Sequence, residues 1–232
     1  MNDEFVQILN NLRLKPNNLS FYRTAFTHRS FLNEAKEVKE SNERLEFLGD
    51  AILSFITSGF LFHKRAHDAE GDLTNLRSYI VKTESLARVS QKLSLGKFLR
   101  MSKGEEFSGG RQNPQILANT YEALLGAIFM DLGIEAAQTF IYQTLLPLFA
   151  TEITKGAPRD PKSELQEMVQ EKFQVSPKYK IIGTIGPDHA KKFTVGVFVK
   201  DELLGRGSGS SKQQAEEDSA KEALKKLTEH LT

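Results

Sequence analysis

Three carboxylates at helical spacing, Glu43, Glu46 and Asp50, are the first side chains in this chain that could do chemistry together. They lie in Asn42-Glu-Arg-Leu-Glu-Phe-Leu-Gly-Asp-Ala51, which runs without proline into the apolar stretch Ile52 to Phe62, so one continuous helix is expected. At 3.6 residues per turn the three acids fall within about 60° of one another. Leu45, Leu48, Ile52, Phe55 and Ile56 gather on the opposite side as a core stripe, and Ser41 or Asn42 supplies the cap. A solvated polar face would give the same spacing. Against that, only Arg44 offers a nearby positive charge, and Phe47 flanks the acidic line, where a plain surface would not place an aromatic. A second apolar segment, Ile116 to Leu132, carries Glu122 as its only charge before Asp131, with Asn119 one turn earlier on the same face. An acid in such a helix must reach a rim, pair with a base or bind a cation. Taken with the first acidic line, a cation site weighs equally with the paired or rim-seated acid.

Cysteine is absent, so disulfides and thiolate metal sites are excluded. His63 and His67 lack the Glu that a zinc-protease helix places after its first His, and Lys64 and Arg65 mark that stretch as a basic helix end. His28, beside Arg29 in Thr27-His-Arg-Ser30, is open to a functional role, but a hydrogen-bonded structural residue is the better reading. Oxygen donors without a sulfur or imidazole set select a hard cation, Mg²⁺ with Mn²⁺ as its substitute. Such ions serve phosphate chemistry: they neutralise charge, activate water and stabilise a leaving oxygen. No Gly-Lys-Ser/Thr phosphate loop and no serine nucleophile elbow is present, so no nucleotide cofactor is expected.

These residues need helices to hold them, and residues 1–150 read as helical throughout. Beyond the acidic helix a second is expected over about Leu73 to Leu93, capped by Asp72 or Thr74, then a loop rich in Gly, Ser and Lys from Gly104 to Pro114. The Glu122 helix follows, and a last one runs from Ile134 to near Pro147. Residues 151–160 hold Gly156, Pro158 and a charge cluster and read as a linker. The texture then changes. Helix Ser163 to Phe173 precedes strands over Lys178 to Ile185, Phe193 to Val199 and Leu203 to Gly205. A Gly/Ser run then opens a final helix, Lys212 to Leu231. The fold class expected is an all-α domain over 1–150 followed by a small α+β domain, α-β-β-β-α, over 161–231.

Of the 232 residues, 39% are apolar and 26% charged, the composition of a core-forming protein. Acids rather than bases lead the N-terminus, and no apolar run approaches about 18 residues, so a cytoplasmic protein with no membrane partner is expected. Net charge is +1, so any nucleic-acid binding must rest on local clusters. Lys191 and Lys192 on the strand ribbon and Lys212, Lys221, Lys225 and Lys226 on the last helix supply one. Ser211 and Lys212 start that helix, whose free N–H groups suit a phosphate.

The acidic motif Asn42 to Asp50 resembles the signature of ribonuclease III, and Ile116-Leu-Ala-Asn-Thr-Tyr-Glu122-Ala resembles that family's second acidic motif. Helix-strand-strand-strand-helix with Gly207-Ser-Gly-Ser-Ser-Lys-Gln-Gln-Ala-Glu216 is similar to a double-stranded-RNA-binding domain. The resemblance covers nearly the whole chain. It implies a homodimeric, divalent-metal-dependent endoribonuclease that cuts double-stranded RNA to 5′-phosphate and 3′-hydroxyl ends, in rRNA and mRNA precursor processing. Carried over, Glu46, Asp50, Asn119 and Glu122 fall on the metal positions, and Asp50 and Glu122 on the catalytic ones. Glu43 and Glu70 match auxiliary acids, and Phe47 matches the aromatic that packs across the dimer. In the second domain Gln166, His189, Ser211 and Lys212 fall on RNA-contacting positions, and such a domain reads A-form shape more than sequence. Two departures stand out. Asn119 takes the place of the usual Asp, so the alternative is a catalytically weakened double-stranded-RNA-binding protein. Lys212-Gln-Gln carries fewer lysines than is usual, which implies binding less resistant to salt.

Overall fold

The computed structural model describes residues 8–10, 12, 14–158, 160–187 and 191–229. The chain divides into two compact units, Met1–Ala157 and Pro158–Thr232.

The first unit is helical: α1 (Leu19–Ala25), α2 (Glu43–Lys64), α3 (Glu70–Val81), α4 (Thr83–Lys92), α5 (Lys103–Phe107), α6 (Pro114–Thr144) and α7 (Ala150–Lys155), with short 3₁₀ turns between. Helix α6 starts where Asn113 Oδ1 accepts the Gln115 and Ile116 N–H groups and Pro114 fills the first turn. It is interrupted at Gly133, whose non-helical φ of 83° lies where glycine alone is at ease, so the two helices expected on either side are both present and meet there at a kink. The single helix expected over 73–93 is broken instead. Lys82 is extended (φ −65°, ψ 157°), and it separates α3 from α4. Neither Asp72 nor Thr74 caps α3, whose N-cap position is Ala69; Thr74 Oγ1 donates to Glu70 Oε1 instead. Asn42 stands at the α2 N-cap without a side-chain capping bond; it is buried, and its backbone N–H donates to Thr27 O.

Helices α2 and α6 are long and apolar enough by composition to cross a membrane, although neither holds an uninterrupted apolar run. Here they supply the core: Leu45, Ile52, Leu53, Ile56 and Leu61 pack with Tyr121, Leu124, Leu125 and Ile128. Ile153 of α7 belongs to the same core, so the helical unit extends past the expected limit at 150. Phe55, expected in the core stripe, is 70% exposed; with Phe47 and Phe62 it forms an aromatic line along the outside of α2.

In the second unit Asp160 caps α8 (Pro161–Phe173), strands β1 (Lys178–Ile185), β2 (Lys192–Val199) and β3 (Glu202–Gly209) form an antiparallel sheet in that order, and α9 (Lys212–Glu229) closes it. Leu165 and Val169 pack with Val197, Val199, Ala220, Ala223 and Leu227. The third strand is longer than expected because its glycines belong to it: a Cβ on Gly207 would stand 2.1 Å from Ser219 N, so only bare backbone lets α9 lie this close.

Candidate active site

The site begins with two glycines. A Cβ on Gly49 would meet the Glu122 carbonyl oxygen at 1.8 Å, and one on Gly126 would meet the Leu45 carbonyl oxygen at 2.3 Å. Helices α2 and α6 therefore touch backbone to backbone, which no larger residue permits. Each glycine has its acid next to it or one turn away: Asp50 follows Gly49, and Glu122 is four residues before Gly126. The crossing thus sets Glu46 and Asp50 of one helix against Asn119 and Glu122 of the other. They line a cleft of about 550 Å³, with Glu43, Phe47, Asn42 and Ile116 and, from the preceding loop, His28 and Arg29.

Glu122 is half-buried. Burial first, then the Asp50 and Glu46 carboxylates, push its pKa from 4.5 up to about 8. Glu46 is also raised, by burial above all; a hydrogen bond with Asn119 opposes the shift, and Glu43 and Asp50 add to it. Asn119 sits inside a short amide chain. Its Oδ1 accepts from Gln115 Nε2 at 2.7 Å, which leaves the NH₂ group to face Glu46. Glu43 is the tied member of the acidic line: Arg29 Nη1 lies 3.2 Å from Oε1, and Ser41 Oγ donates to Oε2 at 2.8 Å. The positive charge near this line therefore comes from Arg29 as well as Arg44. Glu70 does not join the group. It begins α3 and lines a separate hollow of about 350 Å³ with Phe55, Phe62, Leu73 and Arg77.

Among the described residues no three Asp, Glu or His side chains are drawn together tightly enough to enclose an ion. Their chemistry nevertheless fits one. Every donor is an oxygen, the carboxylates repel one another across the cleft, and Glu122 has no Lys or Arg partner among the described residues. A divalent cation held by Glu46, Asp50 and Glu122 would relieve that repulsion.

In the second unit Gln166 is exposed on α8. Ser211 and Lys212 are exposed at the start of α9, where Ser211 Oγ accepts the Gln214 N–H at 3.2 Å. His189 lies outside the described residues.

The comparisons with known proteins agree with this geometry. Residues 18–148 match the Ribonuclease-III-like family model, and residues 161–227 match the double-stranded RNA binding motif. Ribonuclease 3 of Pelotomaculum thermopropionicum is 44% identical over 97% of this chain and 93% of its own length. The chain belongs to the ribonuclease III family. Ribonuclease 3 of Streptococcus gordonii is 46% identical over 90% of each chain. The solved nuclease domain of ribonuclease III from Campylobacter jejuni, 39% identical, covers 62% of this chain and 97% of that one at a TM-score of 0.58. Membership makes this chain an endoribonuclease for double-stranded RNA, and nothing favours the alternative of a weakened binder.

Sequence reasoning passed over three features of this site. His28 was visible as a residue but not as part of the cleft wall, because the turn that brings it there depends on a contact with Arg100, far along the chain. Gln115 carried no signal except its place one turn before Asn119. The role of Gly49 and Gly126 could have been suspected, since glycine inside an apolar helix costs about 1 kcal/mol relative to Ala and asks for a packing reason.

Proposed function

We propose that the cleft between α2 and α6 is where the RNA is cut, with Glu46, Asp50 and Glu122 holding Mg²⁺, or Mn²⁺ in its place. When bound, such a cation neutralises phosphate charge and lowers the pKa of a water so that it can attack phosphorus. Asp50 and Glu122 are the acids on which cutting depends most, and hydrolysis leaves 5′-phosphate and 3′-hydroxyl ends. Asn119 serves by steadying Glu46 through its NH₂ group, so its lack of charge weakens cation binding without abolishing it. Glu43 orients Arg29 at the rim, and Glu70 stays auxiliary. The single observation that carries the reading is the glycine-enforced helix crossing, which sets half-buried Glu122, without a Lys or Arg ion-pair partner among the described residues, against Glu46 and Asp50.

The second unit presents duplex RNA to this cleft through Gln166, His189, Ser211 and Lys212. The protein acts as a homodimer through the Phe47, Phe55 and Phe62 line, which is too exposed for a solitary subunit. Of the Campylobacter jejuni nuclease domain, too, a region involved in dimer formation is described. Its place is the cytoplasm, in the processing of rRNA and mRNA precursors. Cleavage of a long, perfectly paired RNA against Mg²⁺ concentration tests the assignment. The native chain should cut, and Asn119→Asp should reach half-maximal rate at roughly severalfold less Mg²⁺, because it places a further carboxylate beside those three donors. An unchanged Mg²⁺ requirement would remove residue 119 from the cation's surroundings.

A further inference from the structure

His28 lines the acidic cleft, and its hydrogen bonds fix which ring nitrogen carries the proton. The chain is pinned there by the His28 N–H, which donates to Arg100 O at 2.9 Å. The ring's Nδ1 accepts the Ser30 N–H at 3.3 Å and so caps the turn Arg29–Asn33. A backbone N–H can only donate, so Nδ1 carries no proton. Ser30 Oγ lies 2.8 Å from the same nitrogen and accepts the Ser102 N–H at 3.0 Å, which turns its own hydroxyl hydrogen towards Nδ1. Two donors on Nδ1 leave the neutral imidazole with its proton on Nε2. Among the described residues Nε2 has no hydrogen-bond partner.

The cleft needs such a donor. A phosphate entering it meets the Glu43, Glu46, Asp50 and Glu122 carboxylates, while Arg29 pairs with Glu43 at the exposed rim and the Asn119 amide faces Glu46. On the cleft wall the His28 Nε2–H is a donor without a hydrogen-bond partner among the described residues, whereas Asn42 is buried. We propose that His28 is a substrate-contacting residue of this nuclease, whose Nε2–H donates to a phosphate oxygen of the strand being cut. A donor to an anionic oxygen is worth most when it is held in advance and sheltered from water, and the Ser102–Ser30–His28 chain holds this one. The inference rests on the cleft being the site of cutting.

The test uses two substitutions that separate the ring's two edges. Asn places its amide where Nδ1 stands and keeps the cap on the turn; Gln reaches the place of Nε2 and keeps the donor. Single-turnover cleavage of duplex RNA by the full-length chain would be measured for His28→Asn, His28→Gln and His28→Ala, beside RNA binding without divalent cation and thermal unfolding. His28→Ala and His28→Asn should lose about 100-fold in cleavage rate with RNA binding changed less than about threefold, and His28→Gln should exceed His28→Asn by about tenfold. His28→Asn equalling or exceeding His28→Gln would overturn the proposal and leave His28 as a cap for the turn. Glu122→Gln is the control: if it cuts like the native chain, the cleft reading fails rather than the His28 assignment alone.

Discussion

Glu122 concentrates the chemistry of this chain because three influences act on it in the same direction. Burial disfavours its charge, and so do Asp50 and Glu46. The consequence for stability has a definite sign. Between the ordinary carboxyl value of 4.5 and about 8, the folded protein holds a proton on Glu122 that the unfolded chain releases. Free of divalent cation, the helical unit is therefore most stable below the lower value and loses stability as pH rises towards 8; the raised Glu46 carboxyl adds in the same direction. Thermal unfolding in chelator at about pH 5 and about pH 8 should show this loss, and Glu122→Gln should flatten it. A native profile no steeper than that of Glu122→Gln would contradict the environment described for this acid. At this scale the sequence was legible in residue types: an isolated acid in an apolar helix announces an unusual proton. The hydrogen bond from Gln115 to Asn119 was not, since nothing in a one-turn spacing says which way an amide faces.

At the scale of elements, the site is the product of one helix crossing. Glu46 and Asp50 meet Asn119 and Glu122 only because Gly49 and Gly126 let the backbones touch. A methyl group at Gly49 would sit within a covalent-like distance of the Glu122 carbonyl, so the helices must part. Gly49→Ala should destabilise the helical unit by about 3 kcal/mol or more, at the upper end of overpacking costs. By calorimetry that is a fall of roughly 6–12 °C for a unit of this size, with cleavage lost in proportion to the displaced acids. A variant as stable as the native chain would show that the helices have room to spare. Helical periodicity gave both helices and their acidic faces, but periodicity carries no information about depth of approach. It also misplaced Phe55. A wheel divides a helix into two sides, and α2 has three: a core side, an acidic side and an exposed aromatic line. The break at Lys82 was equally invisible, since neither Gly nor Pro marks it.

For the whole molecule, the exposed aromatic line on α2 and the division into a nuclease-like unit and a double-stranded-RNA-binding unit are the features that bear on duplex RNA. Phe47 is 81% exposed and also lines the acidic cleft, so under the proposed function assembly and cutting share a residue. Phe47→Glu should shift the protein from dimer to monomer in sedimentation at micromolar concentration and lower cleavage of long duplexes; a native-sized dimer would place the interface elsewhere. The order of the two units was plain from the change in texture after the linker expected at residues 151–160. Where the first unit stops was not, because Ile153 joins its core from within a stretch whose glycine and prolines suggest a linker. The claim on which everything else depends is that the α2–α6 cleft cuts the RNA that the chain binds. Its most direct test is cleavage of a long paired RNA in Mg²⁺ by native and Glu122→Gln protein, with RNA binding measured on the same samples. The account predicts undiminished binding and a loss of cutting of at least about 100-fold in Glu122→Gln, the scale on which removing one essential group acts. Equal cutting by the two proteins would contradict it.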